Sequence, residues 1–178
     1  MSLDFTVNFF DIVHISTLIS IISGGLFAMY KWDKSMRTKR ADYIKGLIEI
    51  KNSEIIIETF PLFDYNVEWY TSHFHRSELE KKIDYTLTYF DFICYLNDRK
   101  IFDDETFLLF KYQIDCIVRN KQIHNYFYNL YHYSSKNNLA ISYHYLLKYA
   151  IKHKCIDNSF MDKTAHHNNS LYTKKLNW

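Results

Sequence analysis

The amino-acid sequence predicts an all-α protein, with one N-terminal transmembrane helix followed by a cytoplasmic bundle of four to five helices. Three observations support this fold class. The 178 residues include only three glycines and one proline, too few for the tight turns of an all-β or Rossmann-like fold. The stretch Ile12 to Tyr30 contains no Asp, Glu, Lys or Arg. Most other apolar residues recur at spacings of three and four positions, as on one face of a helix.

Residues 12–30 are predicted to form the transmembrane helix. Nineteen helical residues rise about 28 Å, close to the thickness of the hydrocarbon layer. A cleaved signal peptide begins with basic residues and ends at a small-residue cleavage site, whereas this chain begins with Asp4 and Asp11. We therefore expect a retained anchor. The alternative is a helix buried in a protein without an anchor.

The distribution of positive charge predicts the orientation of this anchor. Residues 1–30 contain no Lys or Arg, whereas the next ten residues contain Lys31, Lys34, Arg37, Lys39 and Arg40. The positive-inside rule then places residues 1–11 outside and the C-terminal part in the cytoplasm of a bacterium, with the anchor in its inner membrane. The five basic side chains are expected to contact anionic lipid headgroups.

One side of the predicted span is rich in small and hydroxyl-bearing residues. Within an arc of about 120° at ~100° per residue lie Ser16, Thr17, Ser20, Ser23 and Gly24. Small residues let helices approach closely, and hydroxyls can form hydrogen bonds across the contact. We expect this face to form a homo-oligomer. In the alternative, the hydroxyls bond carbonyls of their own helix and face lipid.

The rest of the chain divides into three predicted segments. Residues 31–60 are expected to form a basic juxtamembrane helix that Pro61 ends. Residues 61–154 are expected to form the cytoplasmic helical domain, beginning with a short aromatic helix from Val67 to about His75. Residues 155–178 are polar and aperiodic, so we predict a flexible tail.

Helix boundaries within the cytoplasmic domain are marked by capping residues. The capping box from Ser77 to Glu80 starts a helix that ends near Asp98. The acidic run from Asp103 to Glu105 starts the next helix, because carboxylates favour a helix N-terminus. That pattern continues to about Tyr133 with a kink near Asn120, and a final helix ends near Lys154.

Composition limits the chemistry that the chain can perform. The net charge of +2 creates no general field for nucleic acid, so we expect no direct DNA binding. Three cysteines without zinc-like spacing predict reduced thiols: Cys94, Cys116 and Cys155. The pairs His73/His75 and His166/His167 lack further ligands at zinc-like spacing. Since no glycine-rich phosphate loop is present either, we predict no metal and no cofactor.

One short motif has the residue types of a nuclease site. Arg119 is followed by a polar residue and, five positions after the arginine, by His124. This spacing resembles the Arg-x4–6-His signature of HEPN-fold ribonucleases, an all-helical dimeric family. The resemblance implies that Arg119 would stabilise the scissile phosphate and that His124 would transfer protons at the 2′-hydroxyl and the leaving group. A membrane-tethered ribonuclease is therefore an alternative function.

The general layout gives the main functional hypothesis. The stretch YFDFICYLNDRKIFDDETF is similar to a pattern in an uncharacterised family of bacterial membrane-anchored helical proteins. The order of anchor, basic segment and helical domain resembles small membrane effectors of phage defence. This resemblance implies a non-enzymatic protein that oligomerises in the membrane and senses a protein partner or a small nucleotide on the cytoplasmic side. A further alternative is a scaffold subunit of a larger membrane complex.

Overall fold

The computed structural model describes residues 9–71 and 73–156, without the side chains of residues 9–13, 15 and 18. Within these ranges the regular structure is entirely helical, which confirms the all-α class. The six helices are α1 (Phe9–Lys51), α2 (Glu54–Asp64), α3 (Glu78–Asp98), α4 (Asp104–Arg119), α5 (Lys121–Lys136) and α6 (His144–Lys152). The chain divides into two compact units, Met1–Ile48 and Glu49–Trp178.

The first unit is built on α1, which continues without a break from the charge-free stretch into the basic one. Across the part of the chain that the structure describes, no helix is long and apolar enough to cross a membrane. The predicted transmembrane helix over 12–30 therefore gains no support from this structure. Four residues of that prediction have side chains outside the described set: Ile12, Val13, Ile15 and Leu18.

Two terminal predictions fall largely outside the described residues. Of the predicted extracytoplasmic segment 1–11, residues 1–8 are not described. Of the predicted tail 155–178, residues 157–178 are not described. Both remain predictions from the sequence.

The second unit buries its apolar residues around α3 and α4. Helix α3 contacts α2, α4 and α6, and α4 also contacts α2, α5 and α6. Many of the buried side chains recur at spacings of three and four positions along each helix, as the sequence predicts. On α3 and α4 the fully buried apolar residues are Ile83, Leu87, Phe90, Ile93, Phe110, Ile114, Ile117 and Val118.

The predicted helix starts are confirmed by their capping bonds. Glu80 donates its backbone N–H to Ser77 Oγ at 3.1 Å, and Thr106 donates its own to Asp103 Oδ1 at 2.8 Å. At Asn120 the predicted kink is a complete break, because this residue ends α4 and starts α5. Its Oδ1 accepts from two amides of α5, and its Nδ2 donates to the Phe63 carbonyl at 3.0 Å.

The single helix predicted over 31–60 is wrong. Helix α1 ends at Lys51, and α2 begins at Glu54 and runs past Pro61 to Asp64. Proline removes only its own N–H, and the Pro61 carbonyl still accepts from Tyr65 N at 3.0 Å. Because Phe63 is buried in the same turn, packing favours one more helical turn after the proline.

The short helix predicted from Val67 to His75 is also wrong. Residues 67–70 and residue 74 have no regular structure, and the other described residues from 71 to 77 form turns or bends. Trp69, Tyr70 and Phe74 are buried, so their spacing reflects burial rather than a helical face. Asn66 and Arg76 adopt positive φ angles of 53° and 65°, which interrupt helical geometry at both ends of the segment.

Candidate functional site

The segment 65–77 is held against α5 by aromatic packing. The rings of Trp69, Tyr70 and Phe74 lie with their centroids 6.0, 5.4 and 5.2 Å from that of Tyr126 on α5. Trp69 also contacts Phe63 of α2 edge to face at 6.2 Å. Large rings therefore place the polar atoms of this segment in a largely dry environment.

A chain of hydrogen bonds runs through this aromatic packing. His75 Nδ1 lies 2.8 Å from Glu80 Oε1, and His75 Nε2 lies 3.3 Å from Tyr70 Oη. Asn129 Nδ2 donates to Tyr70 Oη at 2.5 Å. A neutral His75 satisfies all three contacts when its Nδ1–H donates to Glu80 and its Nε2 accepts from Tyr70. The second oxygen of Glu80 accepts from Arg76 N at 2.5 Å.

This chain of a carboxylate, an imidazole and a phenol has the order of a proton relay, but its reacting atoms are enclosed. Tyr70 is only 2% exposed, and the His75 side chain is 6% exposed. Burial raises the pKa of Tyr70 to about 12, which disfavours the phenolate. This series of hydrogen bonds therefore links segment 65–77 to α3 and α5, and we call it the brace around His75.

A second carboxylate on α3 holds two tyrosines from later helices. Asp84 Oδ1 accepts from Tyr126 Oη and Tyr143 Oη, both at 2.7 Å. Burial raises the pKa of the Asp84 carboxyl, and the two tyrosine hydrogen bonds oppose this rise. Burial raises the pKa of both phenols as well. Asp84 thus joins α3 to α5 and to the start of α6.

A third carboxylate on α3 supplies a cap for α6. Asp91 Oδ1 accepts from Leu146 N in the first turn of α6 at 2.8 Å. Burial raises the pKa of this carboxyl, and the backbone hydrogen bonds from α6 lower it again. The local residue at the N-cap, Tyr143, makes no side-chain capping bond. The carboxylates of Glu80, Asp84 and Asp91 on α3 therefore all have structural partners.

A polar cavity of about 90 Å³ lies between the C-terminal ends of α3 and α6. Its lining includes three lysines, Lys100, Lys148 and Lys152. Lys148 Nζ forms an ion pair with Asp98 at 2.7 Å. Cations favour helix C-termini, because the carbonyl groups there carry partial negative charge. The cavity is well below the ~300 Å³ of an ordinary ligand pocket.

The predicted oligomer face on α1 forms hydrogen bonds within its own helix. Ser20 Oγ donates to the Ser16 carbonyl at 2.9 Å, and Ser23 Oγ donates to the Ser20 carbonyl at 3.1 Å. A Cβ added at Gly24 would meet no atom within 4 Å. Thr17 is exposed beside these residues. The alternative in which these hydroxyls bond their own backbone thus describes Ser20 and Ser23.

The predicted lipid-contacting basic residues are exposed along the same helix. Lys31 Nζ lies 5.0 Å from the centre of the Phe27 ring, and Arg37 Nε forms an ion pair with Asp33 at 2.9 Å. The remaining members are also exposed: Lys34, Lys39 and Arg40.

The two residues of the nuclease motif lie on different helices. Arg119 is the exposed last residue of α4, and His124 lies in α5 beyond the break at Asn120. His124 Nε2 donates to the Val118 carbonyl at 2.6 Å, which gives this nitrogen a structural partner. Asn120, inside the motif, holds α5 to the end of α2.

Sequence reasoning missed the brace around His75. The capping box predicts that the Glu80 side chain lies near the preceding residues His75 and Arg76. No sequence pattern near His75 indicates that Tyr70 and Asn129 complete the network. Among the described residues, no group of three or more His, Cys, Asp or Glu side chains is placed to bind a metal ion.

Comparison of the chain with models of known families, with curated proteins and with solved structures found no match.

Proposed function

We propose that the chain is a single-pass, non-enzymatic protein of a bacterial inner membrane. It oligomerises through its membrane helix and senses a ligand or partner with its cytoplasmic helical domain, in the manner of a phage-defence membrane effector. The observation that supports this most is the exposure of apolar side chains along α1. Six of them are between 53% and 69% exposed: Ile19, Ile21, Ile22, Leu26, Phe27 and Met29.

These six side chains point in directions around most of the helix rather than to one face. At ~100° per residue, Phe27 and Ile21 lie about 120° apart, and the other four fill the opposite arc. Burying such a side chain is worth about 1.5–3 kcal/mol. A helix whose apolar side chains point in most directions is typical of one surrounded by lipid or by other helices. The basic residues that follow supply the charge asymmetry that orients such a helix.

The second unit supports a binding role rather than catalysis. The hydrogen-bond networks of this unit involve buried atoms, such as Tyr70 Oη, which a substrate does not reach. None of the contacts of Arg119 or His124 favours the nuclease alternative. RNA cleavage or growth arrest caused by the overproduced chain would support the nuclease alternative, provided that Arg119→Ala and His124→Ala abolish the effect. Co-purification of a larger complex that depends on residues 155–178 would favour the scaffold alternative.

Membrane insertion is tested by fractionating bacteria that produce the full chain and washing the membranes with alkaline carbonate. We expect the chain to remain in the pellet. The double variant Ile21→Lys/Ile22→Lys should be lost from it, because a lysine at the centre of a membrane helix costs about 2.5–3.5 kcal/mol. The control Ser35→Lys/Thr38→Lys adds the same charge outside the span and should still pellet. Recovery of the natural sequence in the carbonate wash would overturn the proposal.

Orientation is tested with the natural cysteines. Cys116 and Cys155 are partly exposed in the second unit. A membrane-impermeant maleimide should therefore label them only after the cells are permeabilised. Labelling in intact cells would place this unit outside and contradict the proposed topology.

A further inference from the structure

Some of the apolar residues of α1 also follow a pattern that membrane insertion does not require. Spacings of three and four residues alternate from residue 19 to residue 43, which is the heptad repeat of a coiled coil. We call this line of residues the heptad seam. Its members are Ile19, Ile22, Leu26, Met29, Asp33, Met36, Arg40 and Tyr43. In the sequence, Ile12 and Ile15 continue the same spacing toward the N-terminus.

The apolar members of the heptad seam are exposed although they lie in one continuous helix. Ile19 and Tyr43 at the two ends are 60% and 43% exposed, and Met36 between them is 47% exposed. The seam also extends past Lys31 into the charged part of α1, where a surrounding lipid phase does not account for apolar residues. There Met36 and Tyr43 are seven residues apart, at equivalent heptad positions.

From these observations we infer that the heptad seam binds a second copy of this chain in a parallel coiled coil. A strict seven-residue repeat keeps the same residues facing a partner helix over a long distance. The orientation must be parallel, because copies inserted with the same topology present their helices in the same direction. The inference rests on the proposed membrane insertion of α1 and identifies the oligomer surface and its partner.

The charged members of the seam are compatible with self-association. Asp33 forms an ion pair with Arg37 one turn later at 2.9 Å. In a parallel pair, two carboxylates and two guanidinium groups meet at one level, so their charges offset one another. Asp33 and Arg40 both occupy core positions of the seam, and charged residues at core positions cost stability but restrict the two helices to one register. Asp33 thus helps to align the two helices.

The heptad seam differs from the face formed by Ser16, Ser20, Ser23 and Gly24. The centres of the two faces lie roughly a third of a turn apart. The hydroxyls of Ser20 and Ser23 already donate to their own helix, whereas the seam presents exposed large apolar side chains that a partner helix can bury. The two faces therefore predict different contacts between copies.

Disulfide cross-linking in membranes distinguishes the two faces. The full chain with its three natural cysteines replaced by alanine receives one new cysteine at a time. The seam variants are Met29→Cys, Met36→Cys and Tyr43→Cys, and the matched controls on the far face are Gly24→Cys, Lys31→Cys and Thr38→Cys. Copper phenanthroline serves as the oxidant. We expect several-fold more cross-linked dimer at the seam positions than at the controls.

A maximum at Gly24 and at Ser20→Cys, with little product at the seam, would overturn the inference and favour the small-residue face. A second measurement keeps the natural cysteines. Met36→Glu/Tyr43→Glu should lower the oligomer mass in detergent, whereas Thr38→Glu/Ala41→Glu on other faces should not. A monomeric natural sequence, or equal effects of the two pairs, would also overturn the inference. Carbonate-resistant pelleting of the same samples tests membrane insertion separately.

Discussion

The two units of the chain differ in how much of their large apolar side chains they expose. In the first unit, large apolar residues of α1 such as Ile22, Phe27 and Met29 are more than half exposed. In the second unit, residues of similar size such as Ile83, Phe90 and Phe110 are fully buried. These side chains of the first unit are left exposed, whereas those of the second unit pack against one another.

Their hydroxyl groups show the same contrast. Ser20 and Ser23 of α1 donate to carbonyls of the same helix, three or four residues earlier. Tyr126 and Tyr143 instead donate to Asp84, at least 42 residues away in the chain. Local bonds let a helix exist without neighbours, and distant bonds require that the neighbours be in place. Substitutions should therefore affect the fold in the second unit and assembly in the first.

The largest contrast is expected for truncation of a large apolar side chain. Phe110→Ala should lower the free energy of unfolding by about 3–5 kcal/mol, because it leaves a cavity in the core. Ile22→Ala should leave the unfolding of the second unit unchanged. Thermal unfolding of the full chain in detergent, followed by near-ultraviolet circular dichroism, measures both.

Leu108→Ala is the matched control for this prediction, since Leu108 is on the same helix as Phe110 but is 63% exposed. It should shift the transition little. An equal loss of stability at Ile22 and Phe110 would contradict the contrast between the units.

A smaller effect is expected at the brace around His75. Glu80→Ala removes the acceptor of His75 Nδ1 and of Arg76 N, so it should cost about 1.5–3 kcal/mol. The control Glu78→Ala removes an ion pair with Lys81 on the exposed side of the same helix and should cause no measurable change. Urea unfolding of the full chain in detergent compares them. Equal midpoints for the two variants would show that the brace does not stabilise the fold.

The smallest effect is a pH dependence at Asp84. Burial raises the pKa of its native carboxyl, so the folded state binds the proton more tightly than the unfolded state does. The free energy of unfolding therefore falls as pH rises from the ordinary Asp pKa of about 3.9 through the raised native value. Asp84→Asn should make this decline shallower when urea midpoints are compared from about pH 4 to pH 7. Asp91 contributes a decline of the same sign.

Asp98→Asn provides the control for this pH dependence. The hydrogen bond from Lys148 lowers the pKa of Asp98, so its contribution to stability is present above the ordinary Asp pKa and is lost as pH falls. Its replacement should leave the decline caused by Asp84 in place. A profile that Asp84→Asn does not change would show that the native carboxyl titrates as in the unfolded chain.

Local chemistry explains which parts of the fold could be predicted. Ser77, Asp103 and Asn120 bond amides within three residues, so their roles can be read from neighbouring residues. Helix α2 passes Pro61 because the following turn is packed through Phe63, and no local rule contains that contact. The described residues of segment 65–77 are irregular because Asn129 and Tyr126, both distant in the sequence, contact Tyr70 and Trp69.

The candidate sites divide in the same way. The exposed basic residues after Lys31 could be identified from composition alone. The hydrogen bond from His124 Nε2 to the Val118 carbonyl forms across the helix break at Asn120. The spacing between Arg119 and His124 in the motif does not indicate this bond. The heptad seam is present in the sequence, but its exposure became visible only with the structure of α1.

The cap that Asp91 provides for α6 has a consequence for the order of events during synthesis. Helix α6 has only nine residues, and its N-cap residue, Tyr143, has a positive φ of 52° and makes no side-chain capping bond. Isolated helices shorter than about 12–15 residues are marginal in water. The backbone N–H of Leu146 in its first turn donates to Asp91, 55 residues earlier, so α6 is stabilised only after α3 has formed beside it. A partner that separated α6 from α3 would therefore release an unfolded segment rather than an intact helix.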